Sequence, residues 1–241
     1  MDGGGPVLVF LHEGLGSAAQ WRDLPDVLAA RTGCAALAYS RWGHGASEPL
    51  PSPRGVRFMH DEALRVLPDL LDTLGVGGPV LVGHSDGGSI ALIHAAAAGR
   101  PVRGLVLIAP HVFVEDLTVA SIARIRGEYA TTDLRERLAR YHADVDGAFR
   151  GWNDVWLDPA FRAWNIEELL PAIACPVLVI QGENDEYGTL RQVEAIAGGV
   201  SGTVRTLVLP GAGHAPHRDR PDAVVEEIRR FVQEILAPRS A

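Results

Sequence analysis

A serine, an acid and a histidine occur in that order along the chain, each just after a short apolar run. Gly83-His84-Ser85-Asp86-Gly87-Gly88 follows the run 80–82 and precedes a helix-like pattern. G-x-S-x-G in that setting predicts a sharp strand-to-helix turn that lifts the Ser85 hydroxyl to the C-terminal end of a sheet. A turn that tight brings backbone close to backbone, and Gly83 and Gly87 leave room for it. A free hydroxyl is a weak nucleophile and needs a base within reach. His214, in Pro210-Gly211-Ala212-Gly213-His214 after the run 204–209, is the candidate base; His217 competes but reads as a solvated loop histidine. The base in turn needs an acid that fixes its tautomer and stabilises the imidazolium. Gly182-Glu183-Asn184-Asp185 follows the run 177–180 and offers Asp185, with Glu183 and Glu186 as solvated flanking charges. The chemistry these three residue types perform together is acyl transfer.

Attack on a carbonyl builds negative charge on its oxygen, which inward-facing backbone N–H groups stabilise. The loop Leu11-His12-Glu13-Gly14-Leu15-Gly16-Ser17 follows the first apolar run, and the amides of Gly14 and Asp86 are the expected oxyanion donors. Glu13 and Asp86 also bring two carboxylates to this place. Ionised and turned inward, they would oppose the oxyanion. Both are therefore expected to turn away and bond to neighbouring loops; the sharper alternative is that they grip a polar group of the substrate.

These side chains need a scaffold that gathers them. Apolar runs at 7–11, 34–39, 80–82, 105–109, 177–180 and 204–209 read as buried parallel strands. Helical patterns lie between or after them at 18–31, 59–74, 89–98, 190–197 and 222–236. Alternation of this kind predicts an α/β fold, a mostly parallel sheet with helices on both faces. From 112 to 174 no strand pattern occurs, only helix-like stretches at 116–130 and 132–144 and a Trp-rich stretch at 151–164. That segment is expected to be a helical cap inserted into a core formed by 1–111 and 175–241. Most of its aromatic residues (Tyr141, Phe149, Trp152, Trp156, Phe161 and Trp164) are expected to pack the cap onto the core. Trp152 and Trp156, with Glu13 and with His111 just past the fourth strand, are the expected substrate contacts. Arg124 and Arg126 read as a solvated helix face. A cap favours a small soluble substrate over a polymer.

On these motifs the chain resembles capped members of the α/β-hydrolase superfamily, near the bacterial carboxylesterases, enol-lactonases and meta-cleavage-product hydrolases. The resemblance rests on the HGxxGS-like loop at 12–17 and on Arg41-Trp42-Gly43-His44-Gly45-Ala46-Ser47, similar to RxGxGxS. It continues through GHSxGG at 83–88, GxxD at 182–185 and GxGH at 211–214. It implies the α/β-hydrolase fold, no cofactor, and a small-molecule ester cleaved through an acyl-enzyme on Ser85. C–C bond, enol-lactone and thioester cleavage use the same triad. Dehalogenases and epoxide hydrolases of this superfamily carry Asp where Ser85 stands. The chain departs from the pattern at Glu13, where Gly is usual, and at Asp86, where Met or Gln is common. It also opens at what resembles the third strand, so the family's first two strands are expected to be absent. The strand at 34–39 would then border an open sheet edge, a place proteins normally cover; a homodimer paired there would cover it.

The bulk properties agree with such an enzyme. At 241 residues, with 47% hydrophobic and 22% charged residues, the chain is the size of one globular domain with a modest insertion. A net charge of −8 without a basic stripe argues against nucleic acid as a partner. All 22 basic side chains are Arg, which reads as the codon bias of a GC-rich bacterial genome. The run 7–11 is too short for a signal peptide or membrane span. Cys34 and Cys175 lie far apart without CxxC, as free thiols of a reducing compartment would. A cytoplasmic location without a membrane partner is expected. Three other readings compete. Gly14-Leu15-Gly16-Ser17-Ala18-Ala19 fits the dinucleotide pattern G-x-G-x-x-A, with Arg41 placed for a 2′-phosphate, yet that leaves Ser85, Asp185 and His214 unexplained. A ligand-binding protein retaining the triad is the second. A metal on His214, His217 and Asp219 is the third, on a loose spacing.

Overall fold

Leu8 and Phe10 project to one side of the first strand and Val9 and Leu11 to the other, and all four are fully buried. A strand apolar on both sides must be covered on both, and the architecture follows from that. The computed structural model describes residues 6–237; the outermost residues of the two expected core segments lie outside that range. In chain order come β1 (Val7–Leu11), α1 (Leu24–Thr32), β2 (Ala35–Ala38), α2 (Phe58–Asp61), α3 (Leu67–Thr73), β3 (Val80–His84), α4 (Asp86–Ala97) and β4 (Gly104–Ile108). Helices α5 (Asp116–Thr131), α6 (Leu134–Ala139) and α7 (Val145–Trp156) follow before the sheet resumes with β5 (Val177–Gly182). The order ends with α8 (Leu190–Gly199), β6 (Val204–Leu209), α9 (Pro216–Asp219) and α10 (Pro221–Leu236).

The strands form one parallel sheet in the order β2-β1-β3-β4-β5-β6. Leu28 of α1 and Val224, Ile228 and Phe231 of α10 cover the face that carries Leu8, Phe10, Val82 and Ile108. Helices α3, α4 and α8 cover the other face, and the apolar residues of α5 and α7 join the same cluster. This is the α/β-hydrolase architecture. Among the described residues β1 is the first strand and β2 pairs with β1 alone, so β2 lies at a sheet edge. No helix among the described residues is long and apolar enough to cross a membrane. Cys34 and Cys175 are free thiols.

Two helix expectations need correction, and proline or capping explains each. The pattern at 18–31 is a 3-10 turn at Ala18–Trp21 followed by α1, with Arg22 at φ +54 between them. Pro25 cannot donate to the carbonyl four residues back, which favours the break seen just before it. The pattern at 59–74 is a helix, unbroken from α2 through a π turn at Glu62–Val66 into α3; the π turn lies just ahead of Pro68, which has no N–H to give. In the insertion, 132–144 holds only the short α6, and Asp144 begins α7 by accepting from the Gly147 amide at 2.9 Å. Trp152 and Trp156 therefore sit on the buried stripe of a regular helix with Val145, Ala148 and Phe149.

Candidate active site

β3 ends at His84 and α4 begins at Asp86, which leaves Ser85 alone to make the turn, at φ +53 and ψ −118. A non-glycine residue held there stores about 1–3 kcal/mol of strain and persists only where its surroundings fix it. Here they do. The Ser85 amide donates to the Ile108 carbonyl at 2.9 Å, and its own carbonyl accepts from Gly88 and Ser89. The turn closes only because two positions lack side chains. A Cβ on Gly83 would lie 2.3 Å from the Gly87 oxygen, and one on Gly87 would lie 2.0 Å from the Leu11 oxygen.

The loops after β5 and β6 bring Asp185 and His214 together. His214 Nδ1 donates to the Asp185 carboxylate, 2.9 Å from each oxygen. Gln181 Nε2 and the amides of Tyr187 and Gly188 also donate to that carboxylate, so its orientation is fixed from three sides. Burial by itself would raise the Asp185 carboxyl, but the charge and hydrogen bond of His214 outweigh it and hold Asp185 below its ordinary value. Burial likewise disfavours the His214 imidazolium, yet Asp185, with Glu186 and Glu13, raises His214 above the ordinary value of 6.5. Ser85 and His214 border one cavity of about 140 Å³, without a hydrogen bond between them among the described residues.

Gly14 faces that cavity from the loop after β1. The carbonyls of this loop are tied on the far side. Arg41 donates to the oxygens of His12 and Glu13, His44 Nε2 to Gly14 at 2.9 Å, and His142 Nε2 to Leu15 at 2.9 Å. In a trans peptide the N–H points opposite to the preceding C=O. Anchoring the Glu13 carbonyl on Arg41, which is not part of the cavity lining, therefore points the Gly14 N–H away from Arg41. Asp86 N–H is the first amide of α4 and has no acceptor within the helix. The two expected donors thus border the same space as Ser85.

The remaining expected contacts fall unevenly. Glu13, His111, Trp152 and Trp156 all line the cavity, with Tyr187 beside them. Burial, then the neighbouring His214, lowers His111 to about 4. Asp86 does not turn away to the loops; Oδ1 accepts from Trp156 Nε1 of α7 at 3.1 Å, and Oδ2 is buried without a hydrogen-bond partner. Glu13 turns to His84 Nδ1 and Arg218, each at 3.5 Å. His217 is not solvated. It packs on Trp21 and His84, and burial, then His84 and Arg218, depresses it to about 2. Among the described residues no three His, Cys, Asp or Glu side chains gather to hold a metal. A larger groove, of about 470 Å³, runs outside α7 along the 50–54 loop and touches none of Ser85, Asp185 or His214.

The sequence pattern of the alpha/beta hydrolase family matches residues 8–227. The chain belongs to that family. It is 27% identical over 255 residues to the 2-succinyl-6-hydroxy-2,4-cyclohexadiene-1-carboxylate synthase of Salmonella paratyphi C, covering 95% of both chains. It is 28% identical to the esterase YbfF of Escherichia coli, covering 76% of this chain and 78% of that one. Among solved structures, the enol-lactonase of Burkholderia xenovorans superposes with a TM-score of 0.72 at 24% identity, over 95% of this chain and 92% of that one. This alpha/beta hydrolase is thus an enzyme whose relatives include esterases.

Within the alpha/beta hydrolase fold, His44 and His142 carried no site expectation from sequence and Arg41 only that of a 2′-phosphate contact, although all three hold the Gly14 loop. Arg41 is 2% exposed, and its two terminal nitrogens go to the loop carbonyls while Nε has no partner. The RxGxGxS-like motif was the available signal for Arg41 and His44. His142 had none: its Nδ1 accepts from the Gly45 amide at 3.0 Å while Nε2 serves Leu15, so it clips the insertion to two core loops far from it in sequence.

Proposed function

We propose that this alpha/beta hydrolase is a serine esterase acting on a small molecule, with Ser85 as nucleophile, His214 as base and Asp185 as its orienting acid. The observation that carries the reading is that His214, held by Asp185 behind it, borders the same cavity as a serine on a strained turn. His214 takes the Ser85 proton as Oγ bonds to the ester carbonyl carbon, and the amides of Gly14 and Asp86 hold the oxygen that becomes negative. As the tetrahedral carbon collapses, the bond to the alcohol oxygen breaks and His214 protonates that oxygen. Water then repeats the sequence on the acyl-enzyme, releasing the acid and restoring Ser85. A cavity of about 140 Å³ suits a short acyl group. The esterase among the relatives supports the same reading.

The test is pre-steady-state hydrolysis of short p-nitrophenyl esters. A burst of nitrophenolate equal to the enzyme concentration, absent in Ser85→Ala, is the expected result. Turnover that survives Ser85→Ala undiminished would contradict the assignment.

A further inference from the structure

Asp86 poses an electrostatic problem. Its amide is placed to stabilise an oxyanion, while the same residue, 1% exposed and part of the cavity lining, carries a carboxylate that works against one when ionised. The cavity's other carboxylate, Glu13, has His84 and Arg218 beside it. Asp86 has only the indole N–H of Trp156 on Oδ1, and nothing on Oδ2. Burial raises the Asp86 carboxyl above its ordinary value, and Arg41 and Arg54, which oppose that rise from a distance, give other donors to backbone carbonyls and His44 and do not line the cavity. A buried, half-satisfied carboxylate is costly to keep. It ceases to be so when a substrate brings the missing donor.

We infer that Asp86 is the specificity-determining residue for a cationic acyl group, and that the substrates are esters of small α-amino acids whose ammonium binds the Asp86 carboxylate. The inference rests on the serine esterase reading and narrows it. Because amide and carboxylate belong to one residue, the group the carboxylate recognises lies within a few bonds of the carbonyl the amide polarises. An α-ammonium meets that condition: it neutralises Asp86 and adds positive charge beside the developing oxyanion. The aromatic residues Trp152, Trp156 and Tyr187 in the same lining suit a desolvated ammonium. The lining holds two carboxylates and no arginine, so anionic acyl groups are disfavoured.

The experiment compares benzyl esters of alanine, N-acetylalanine and propanoate, at a pH where the free amine is charged. Each kcat/KM is divided by that ester's own hydroxide-catalysed rate, which removes the intrinsic activation by the ammonium. Wild type is expected to favour the free amine over both others by at least about a hundredfold, and Asp86→Asn to bring that ratio within about threefold of one. A wild-type ratio near one, or an unchanged ratio in folded Asp86→Asn, overturns the inference while leaving the esterase reading intact. If Asp86→Asn does not fold, the wild-type ratio decides alone. Hydrolysis of none of the three, with no covalent labelling of Ser85, overturns both.

Discussion

Asp185 and His214 are displaced from their ordinary acidities in opposite directions, each by the other, and the sign of that coupling has a kinetic consequence. His214 can take a proton only when neutral. With its pKa raised, the rising limb of the kcat/KM profile against pH is expected above 6.5. Asp185→Asn removes the charge that favours the imidazolium, so the limb is expected to move to lower pH while kcat falls by up to about ten-thousandfold. A pH–rate profile of both proteins checks this, and a limb that stays in place would count against the pairing. Ser85, Asp185 and His214 were legible in the sequence because each stands in a short glycine-bearing motif at a strand end. The destinations of Asp86 and His217 were not, because both depend on partners outside their own loops: Trp156 in α7 for one, Trp21 and His84 for the other.

Arg41 follows β2 and serves the loop after β1, so the aim of the Gly14 amide depends on two elements holding their relative position. Arg41→Lys keeps the charge and loses the fork that reaches two successive carbonyls. It is expected to lower kcat by roughly tenfold to a hundredfold with little change in KM, the mark of a group that aids the transition state. Steady-state kinetics on a short ester tests it, and an effect confined to KM would contradict it. On the opposite face of the sheet, Ile228→Ala in α10 empties a fully buried position. It is expected to cost about 2–5 kcal/mol in urea unfolding while leaving the KM of the folded enzyme in place. Strand order and type were readable at this scale, since runs buried on both faces have one meaning. Helix ends were less so: Pro25 and Asp144 carry the information, but a pattern of apolar spacing runs straight across them.

The helices between β4 and β5 share one apolar cluster with the sheet, from Leu107 and Ile90 in the core to Phe149 and Trp156 in α7. A segment that sequence pattern sets apart as an inserted cap therefore has no separate core of its own. One cooperative unfolding transition is expected, with tryptophan fluorescence, to which Trp152, Trp156 and Trp164 of the insertion contribute, coinciding with far-UV circular dichroism. Fluorescence that changes at lower urea would show the insertion melting first. Ser85, the Asp185–His214 pair, the Gly14 loop and the roof of tryptophans come from four strand ends and one insertion, so the site exists only in the assembled molecule. The most direct test of that account asks whether Ser85 is activated there. Intact mass is measured after wild type and Ser85→Ala are incubated with a fluorophosphonate. The account predicts a single adduct on wild type and none on the variant. A folded wild type that takes no adduct, or a Ser85→Ala protein that takes the same one, would contradict it.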